Sequence, residues 1–147
     1  MEPHMVIKRR KERGAALIES AITIPIILLV SVSIFEFGRA YQTWQVLTNA
    51  AREGARVSII LGKTDDEVRA SVRKYMEVGG LPLANDSSVV VTLERNIDLG
   101  PNNASKITVT YPFNFIVLGP VMKMVTPSST QGNALTMGAV AVMRNEN

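Results

Sequence analysis

The chain has 147 residues, a formal charge of +3, one histidine and no cysteine. That length suits one domain plus an appendage. The missing cysteine excludes a disulfide framework, a thiolate metal site and a cysteine nucleophile, and a lone histidine at position 4 leaves Ser-His-Asp chemistry without its usual base. The first fourteen residues hold five Lys/Arg and two Asp/Glu, and the rest of the chain holds eleven of each. The body therefore lacks the basic patch that nucleic acid requires.

The basic cluster KRRKER, Lys8 to Arg13, is followed by Gly14 and then by an apolar run from Ala15 to Phe35. Only Glu19, Ser20, Thr23, Pro25, Ser31 and Ser33 interrupt it. As a helix rising about 1.5 Å per residue it spans about 31 Å, close to a hydrocarbon core of about 30 Å. The basic flank places the N-terminus in the cytoplasm and the remainder outside. Pro25 removes one helical hydrogen bond and is expected to kink the helix.

Three readings of this segment compete. A secretory signal peptide has a shorter apolar core and a better small-x-small site than Ser31-Val32-Ser33. A plain membrane anchor accounts for the length and the charge but assigns nothing to Glu19, whose carboxylate costs up to about 3 kcal/mol at mid-membrane and less near the interface. The third reading cuts the chain between Gly14 and Ala15, which makes Glu19 the fifth residue of the product. This arrangement resembles the processing site of type IV prepilins, and the resemblance implies that Glu19 pairs with the new ammonium group of a neighbouring subunit, which would relieve a carboxylate among packed apolar helices.

EFGRAYQTWQVLTNAAREGAR, Glu36 to Arg56, continues the helix with an amphipathic pattern. Phe37, Tyr41, Trp44, Leu47 and Ala51 recur at spacings of three and four, and this stripe is expected to form core against a sheet. Glu36/Arg39 and Glu53/Arg56 are i,i+3 pairs that favour helix. Gly38 and Gly54 permit close packing or a bend, or are simply tolerated.

Beyond Gly62, Thr64 to Glu67 fits a capping box. It opens a short helix whose apolar face is Val68, Val72, Tyr75 and Met76, and Gly79, Gly80 and Pro82 stop it. Three strands are predicted, Ser88–Glu94, Ser105–Tyr111 and Ala134–Arg144, separated by the turn-rich stretches NIDLGPNN and TPSSTQGN. The middle strand alternates as an antiparallel strand packed on one side does. Val140 and Val142 give the third strand a second apolar face, for burial or self-association. PFNFIVLGPVMKMV, Pro112 to Val125, is too apolar for an ordinary loop. It is expected to be a lid on the core or a subunit contact, and Pro112, Gly119, Pro120 and Lys123 argue against a full membrane span.

RGAALIES, a proline-bearing span, EFGRA and AAREGAR occur in that order over roughly the first 60 residues. This ordered set resembles the TadE-like pseudopilins, minor pilin-like proteins of the Tad or Flp type IV pilus. The resemblance implies cleavage between Gly14 and Ala15 by a membrane-embedded aspartyl prepilin peptidase, with Glu19 guiding subunit assembly. It also marks Glu36, Phe37, Gly38 and Arg39, and Ala51, Arg52, Glu53, Gly54, Ala55 and Arg56, as family motif positions. Alanine at the first mature position departs from the phenylalanine that many pilins carry.

The expected fold is α+β: a long transmembrane and amphipathic helix, kinked at Pro25, and a small pilin-like domain of a short helix and a three-stranded antiparallel sheet. The expected organisation is a basic leader over residues 1–14, a span over 15–35, a helical continuation over 36–62 and an external domain over 63–147. The implied setting is the cytoplasmic membrane, crossed once, with passage into a surface pilus open. The implied partners are the peptidase, other pilin subunits, pilus-assembly proteins and the lipid bilayer, with no nucleic acid, metal or cofactor. No catalytic residue is singled out, since the external region lacks histidine and cysteine and nothing distinguishes one serine or acid pair. The alternative is an anchored envelope protein that never polymerises and whose external domain binds another partner.

Overall fold

A computed structural model describes residues 4–98, 103–126 and 133–144, with side chains from Gly14 onward. Helix α1 runs from His4 to Ser58 without a break, passing through Pro25. Proline has no amide, so the carbonyl one turn earlier, at Ala21, loses its partner. Ser31 and Ser33 return their hydroxyls to the carbonyls of Ile27 (2.8 Å) and Leu29 (2.7 Å). Both side chains are thereby satisfied within the helix, as an apolar surrounding demands.

After Ser58 the chain turns through Gly62, whose φ of +81° is the left-handed conformation that favours glycine. Helix α2, Asp65 to Val78, then starts on a complete capping box. The Thr64 hydroxyl accepts from the Glu67 amide (3.3 Å), and the Glu67 carboxylate accepts from the Thr64 amide (2.9 Å). Val68, Val72 and Met76 are buried as expected, while Tyr75 stays 40% exposed.

Strands β1 (Val90–Asp98), β2 (Asn103–Phe113) and β3 (Leu135–Arg144) form one antiparallel sheet in the order β1-β2-β3. The strands are longer than expected at the first turn, because NIDLGPNN gives Asn96 to Asp98 to β1 and Asn103 to β2. The middle of that turn, and most of TPSSTQGN, lie outside the described residues. Between β2 and β3 sits a short helix, α3, Leu118 to Val125, which the sequence pattern did not predict.

One face of the sheet carries Val91, Ile107, Val109, Tyr111 and Ala139 onto Leu47, Ala50, Ala51 and Ala55 of α1 and Val68, Val72 and Met76 of α2. The molecule is thus two layers, helices on a sheet, with Leu47, Val68, Val72, Met76, Ile107 and Val109 fully buried between them. Each such side chain contributes about 1.5–3 kcal/mol on removal from water. The other face, with Thr92, Thr108, Thr110, Val140 and Val142, is open. Val140 and Val142 are half exposed on the β3 edge strand rather than buried on both sides.

The aromatic stripe corrects the expectation made for α1. Phe37, Tyr41 and Trp44 are 61%, 60% and 46% exposed, and only Leu47 and Ala51 of that set reach the core. The buried line lies one residue to the side: Glu36, Ala40, Thr43, Leu47, Ala50, Gly54 and Ser58. Spacings of three and four fit both lines, so periodicity alone cannot choose between them. Close approach of a helix to a sheet and a second helix selects the line of small residues. A Cβ at Gly54 would lie 2.4 Å from Cγ2 of Val72 and 3.4 Å from Cγ2 of Ile107, whereas one at Gly38 would meet nothing within 4 Å.

Candidate functional site

The motif positions fall into three places along α1. Gly14, Ala15 and Glu19 lie on its lower part, where every side chain from Gly14 to Ser31 is exposed to the surroundings of the chain. A stretch of α1 within Gly14–Ser58 is long and apolar enough to cross a membrane, and none of it is buried in the protein. Glu19 has no ion pair or hydrogen bond among the described residues, and Glu36 stands seventeen residues further on, about 25 Å along the axis. The structure does not bring those two carboxylates together.

Glu36 heads the second group and is 2% exposed. A buried carboxylate is costly unless its oxygens are hydrogen-bonded. Here one oxygen accepts from the Ile116 amide (3.1 Å) and the other from the Val117 amide (2.6 Å). Both amides open α3, at the positive end of its dipole, where an anion is stabilised and the bonds are charge-assisted. The pair expected between Glu36 and Arg39 does not form among the described residues. The guanidinium of Arg39 lies 5.3 Å from the centroid of the Phe113 ring, and its Nη1 is buried with no hydrogen-bond partner in the structure. Phe37 meets Phe115 edge-on (6.0 Å, 69°), and Phe115 meets Phe113 likewise (5.2 Å, 86°). Glu36, Phe37 and Arg39 thus form one clasp on the connection from β2 to α3. Gly38, by contrast, is open.

Beside the clasp a cleft of about 220 Å³ is lined by Arg39, Thr43, Gly80, Leu83, Pro112 and Asn114, among others. Its lining includes the Arg39 guanidinium and Tyr111 but no carboxylate, imidazole or thiol.

AAREGAR forms the third group and divides by face. Ala51, Gly54 and Ala55 are buried at the junction of α1, α2 and β2. Arg52 is exposed. Glu53 and Arg56 form the expected pair (2.6 Å) on the surface. Hydrogen bonding from Arg56 holds the Glu53 carboxyl below its ordinary range. Exposed pairs of this kind contribute about 0–1 kcal/mol.

Two arginines with no readable sequence signal hold the sheet and its approach to the helices. A register shift between Glu94 and Ile97 places Asn96 at φ +57° and brings Arg95 beneath the end of α1. Arg95 donates to the carbonyls of Ser58 (2.8 Å) and Lys63 (3.0 Å) and to the Asp65 carboxylate (2.7 Å). Arg73 of α2 donates to the carbonyls of Ala84 (2.9 Å) and Val89 (3.3 Å), fixing the approach to β1. Bulges cannot be read from a run of strand formers, since they depend on the partner strand.

Compared with known families, residues 14–56 match the family of TadE-like proteins. Searches of curated proteins and of solved structures gave no match. The matched segment opens at Gly14, takes in Glu19, Pro25 and the Glu36 clasp, and closes at Arg56, on the α1–α2 junction.

Proposed function

From a chain that is TadE-like over residues 14–56, which ties it to the Tad pilus system, we propose a minor pilin or pseudopilin that a prepilin peptidase cuts between Gly14 and Ala15. In this reading residues 1–14 are a leader that holds the N-terminus inside. Residues 15–35 cross the cytoplasmic membrane, and residues 63–147 stand outside. Cleavage frees the Ala15 ammonium group. Glu19 of an adjoining subunit then takes that charge as partner when apolar helices pack side by side, since a carboxylate left alone there is penalised.

The observation that carries this reading is the register of RGAALIES: a basic cluster, a glycine, and a carboxylate five residues beyond it, on a helix whose large apolar side chains from Leu17 to Val30 are 48–72% exposed. Such a surface requires lipid before assembly and other helices after it. The partners are therefore other pilin or pseudopilin subunits, with the external domain supplying the contacts that set its place in the pilus or its assembly machine.

N-terminal sequencing of the protein from its native membrane tests the cleavage. The expected end is Ala15, lost when the peptidase is removed; an intact leader would leave a plain anchored envelope protein, and an end near Ile34 would mean ordinary secretion. For assembly the test is Glu19→Ala, which is expected to be cleaved normally and to fail in pilus formation. Normal pili in that variant would remove the role given to Glu19.

A further inference from the structure

We infer that α3 and the loop before it, residues 115–125, form a second membrane-contacting element that lies in the outer interface beside α1, at a depth set by Glu36. This inference rests on residues 15–35 crossing the membrane, and not on cleavage or assembly.

Depth is the first argument. The apolar run of α1 ends at Phe35, and Glu36, the next residue, holds the amides of Ile116 and Val117. Ile116 and Val117 also share a groove of about 290 Å³ with Ser31, Val32 and Phe35, so the loop reaches down along the last turn of the span. The start of α3 is thereby fixed at the level where hydrocarbon gives way to headgroups.

Side-chain chemistry is the second. Ile116, Val117, Val121, Met122, Met124 and Val125 are exposed, Met124 by 86% and Val125 by 73%. Lys123 is the one charge in the helix, on a stem long enough to bring its ammonium group to the headgroups. The core expected for this segment accounts only for Phe113 and Gly119, which are buried. Eight residues extend about 12 Å, too short to cross and suited to lying in the interface plane. The exposed apolar surface adjoins Phe35 through that groove, and Phe37 and Tyr41 stand on one side of α1 just above it, where aromatic side chains favour the interface.

Backbone polarity is the third. In an apolar surrounding every amide and carbonyl needs a partner within the protein. The Glu36 carboxylate takes the amides that lead into α3, and the Thr126 amide and hydroxyl both reach the Met122 carbonyl at its other end (2.8 and 2.9 Å). The two amides that precede α3 and the Met122 carbonyl are thereby satisfied by the chain itself. The occupant of this surface is therefore lipid of the outer leaflet.

The chain has no cysteine, so a single one can carry a nitroxide label. Full-length protein with Met124→Cys, Leu28→Cys or Thr110→Cys would be labelled in phosphatidylethanolamine/phosphatidylglycerol vesicles. Relaxation by oxygen and by a water-soluble nickel chelate would then be compared. The expected ratio of oxygen to nickel accessibility at Met124 is several-fold above that at Thr110 and approaches that at Leu28. A Met124 ratio equal to that at Thr110, with Leu28 in lipid, overturns the inference alone. Leu28 in water overturns the span and the inference with it. Protection of Met124 from both reagents means that a protein subunit covers α3, and also overturns it. Adding Glu36→Gln, which puts an amide donor against two backbone amides, is expected to lower the Met124 ratio several-fold. An unchanged ratio overturns the depth-setting role of Glu36.

Discussion

Along α1, residues 14–31 carry isoleucine, leucine and valine that stay about half or more exposed, while residues 36–58 bury Leu47 among alanine, glycine, threonine and serine. The most apolar part of the sequence is thus the part the protein itself does not bury, because its solvent is expected to be hydrocarbon. Where the protein does bury α1, the gain comes from close approach, and close approach selects small side chains. One helix therefore has two grammars, and apart from Leu47 its bulky side chains stay out of the core in both halves.

The sharpest way to break this comparison is to remove the same atoms from both halves. Leu47→Ala empties a fully buried site and is expected to destabilise the helix–sheet domain by about 2–5 kcal/mol. Leu28→Ala, from a side chain 59% exposed, is expected to leave that domain unchanged. Urea unfolding of the full chain in detergent, followed through Trp44 fluorescence, measures both, and equal effects would abolish the distinction.

A smaller effect, opposite in sign at two sites, comes from the glycines. Gly54→Ala forces a Cβ against Val72, which is fully buried and has no room to give, so a loss of about 1–3 kcal/mol is expected. Gly38→Ala meets nothing and gains up to about 1 kcal/mol of helix propensity. The same unfolding curves decide this, and a gain at both would mean that α1 and α2 are not closely packed.

Smallest is the cap of α2. Thr64→Ala is expected to lose about 1 kcal/mol. The Lys63 ammonium group, and then the Thr64 amide, hold the Glu67 carboxyl down to about 2. Its folded value lies below the unfolded one of about 4.3, so the stability it contributes is complete above that value and fades as pH falls toward 2. Amide exchange at the start of α2, taken as protection relative to the intrinsic rate at each pH, is expected to show fraying at pH 2.5 and not at pH 5, and equal protection would remove the carboxylate from the cap.

Much of this architecture was legible because it is local. The long apolar helix, the capping box and the alternation of β2 each depend on neighbours within a few residues, and each is found where the pattern put it. The clasp was legible only as wording. EFGR drew attention as a motif, yet the partner of its carboxylate is a pair of backbone amides eighty residues away, and amides leave no mark in a sequence. The aromatic stripe misled because Phe37, Tyr41 and Trp44 sit one position from the buried line and are larger than anything on it. Helix α3 was passed over because Gly119 and Pro120 were weighed only against a full membrane span, although proline suits the first turn of a helix.

The unbroken course of α1 makes it an angular coupling as well as a strut. Each residue turns about 100° about the axis, so the seventeen steps from Glu19 to Glu36 leave those carboxylates about 100° apart in azimuth. The sheet is fixed to the upper half by Arg95 and the small-residue seam. Whatever fixes the rotation of Glu19 thereby chooses the compass direction in which β3 and its open valines face, and one residue inserted at the membrane surface would turn that face by more than a quarter of a circle.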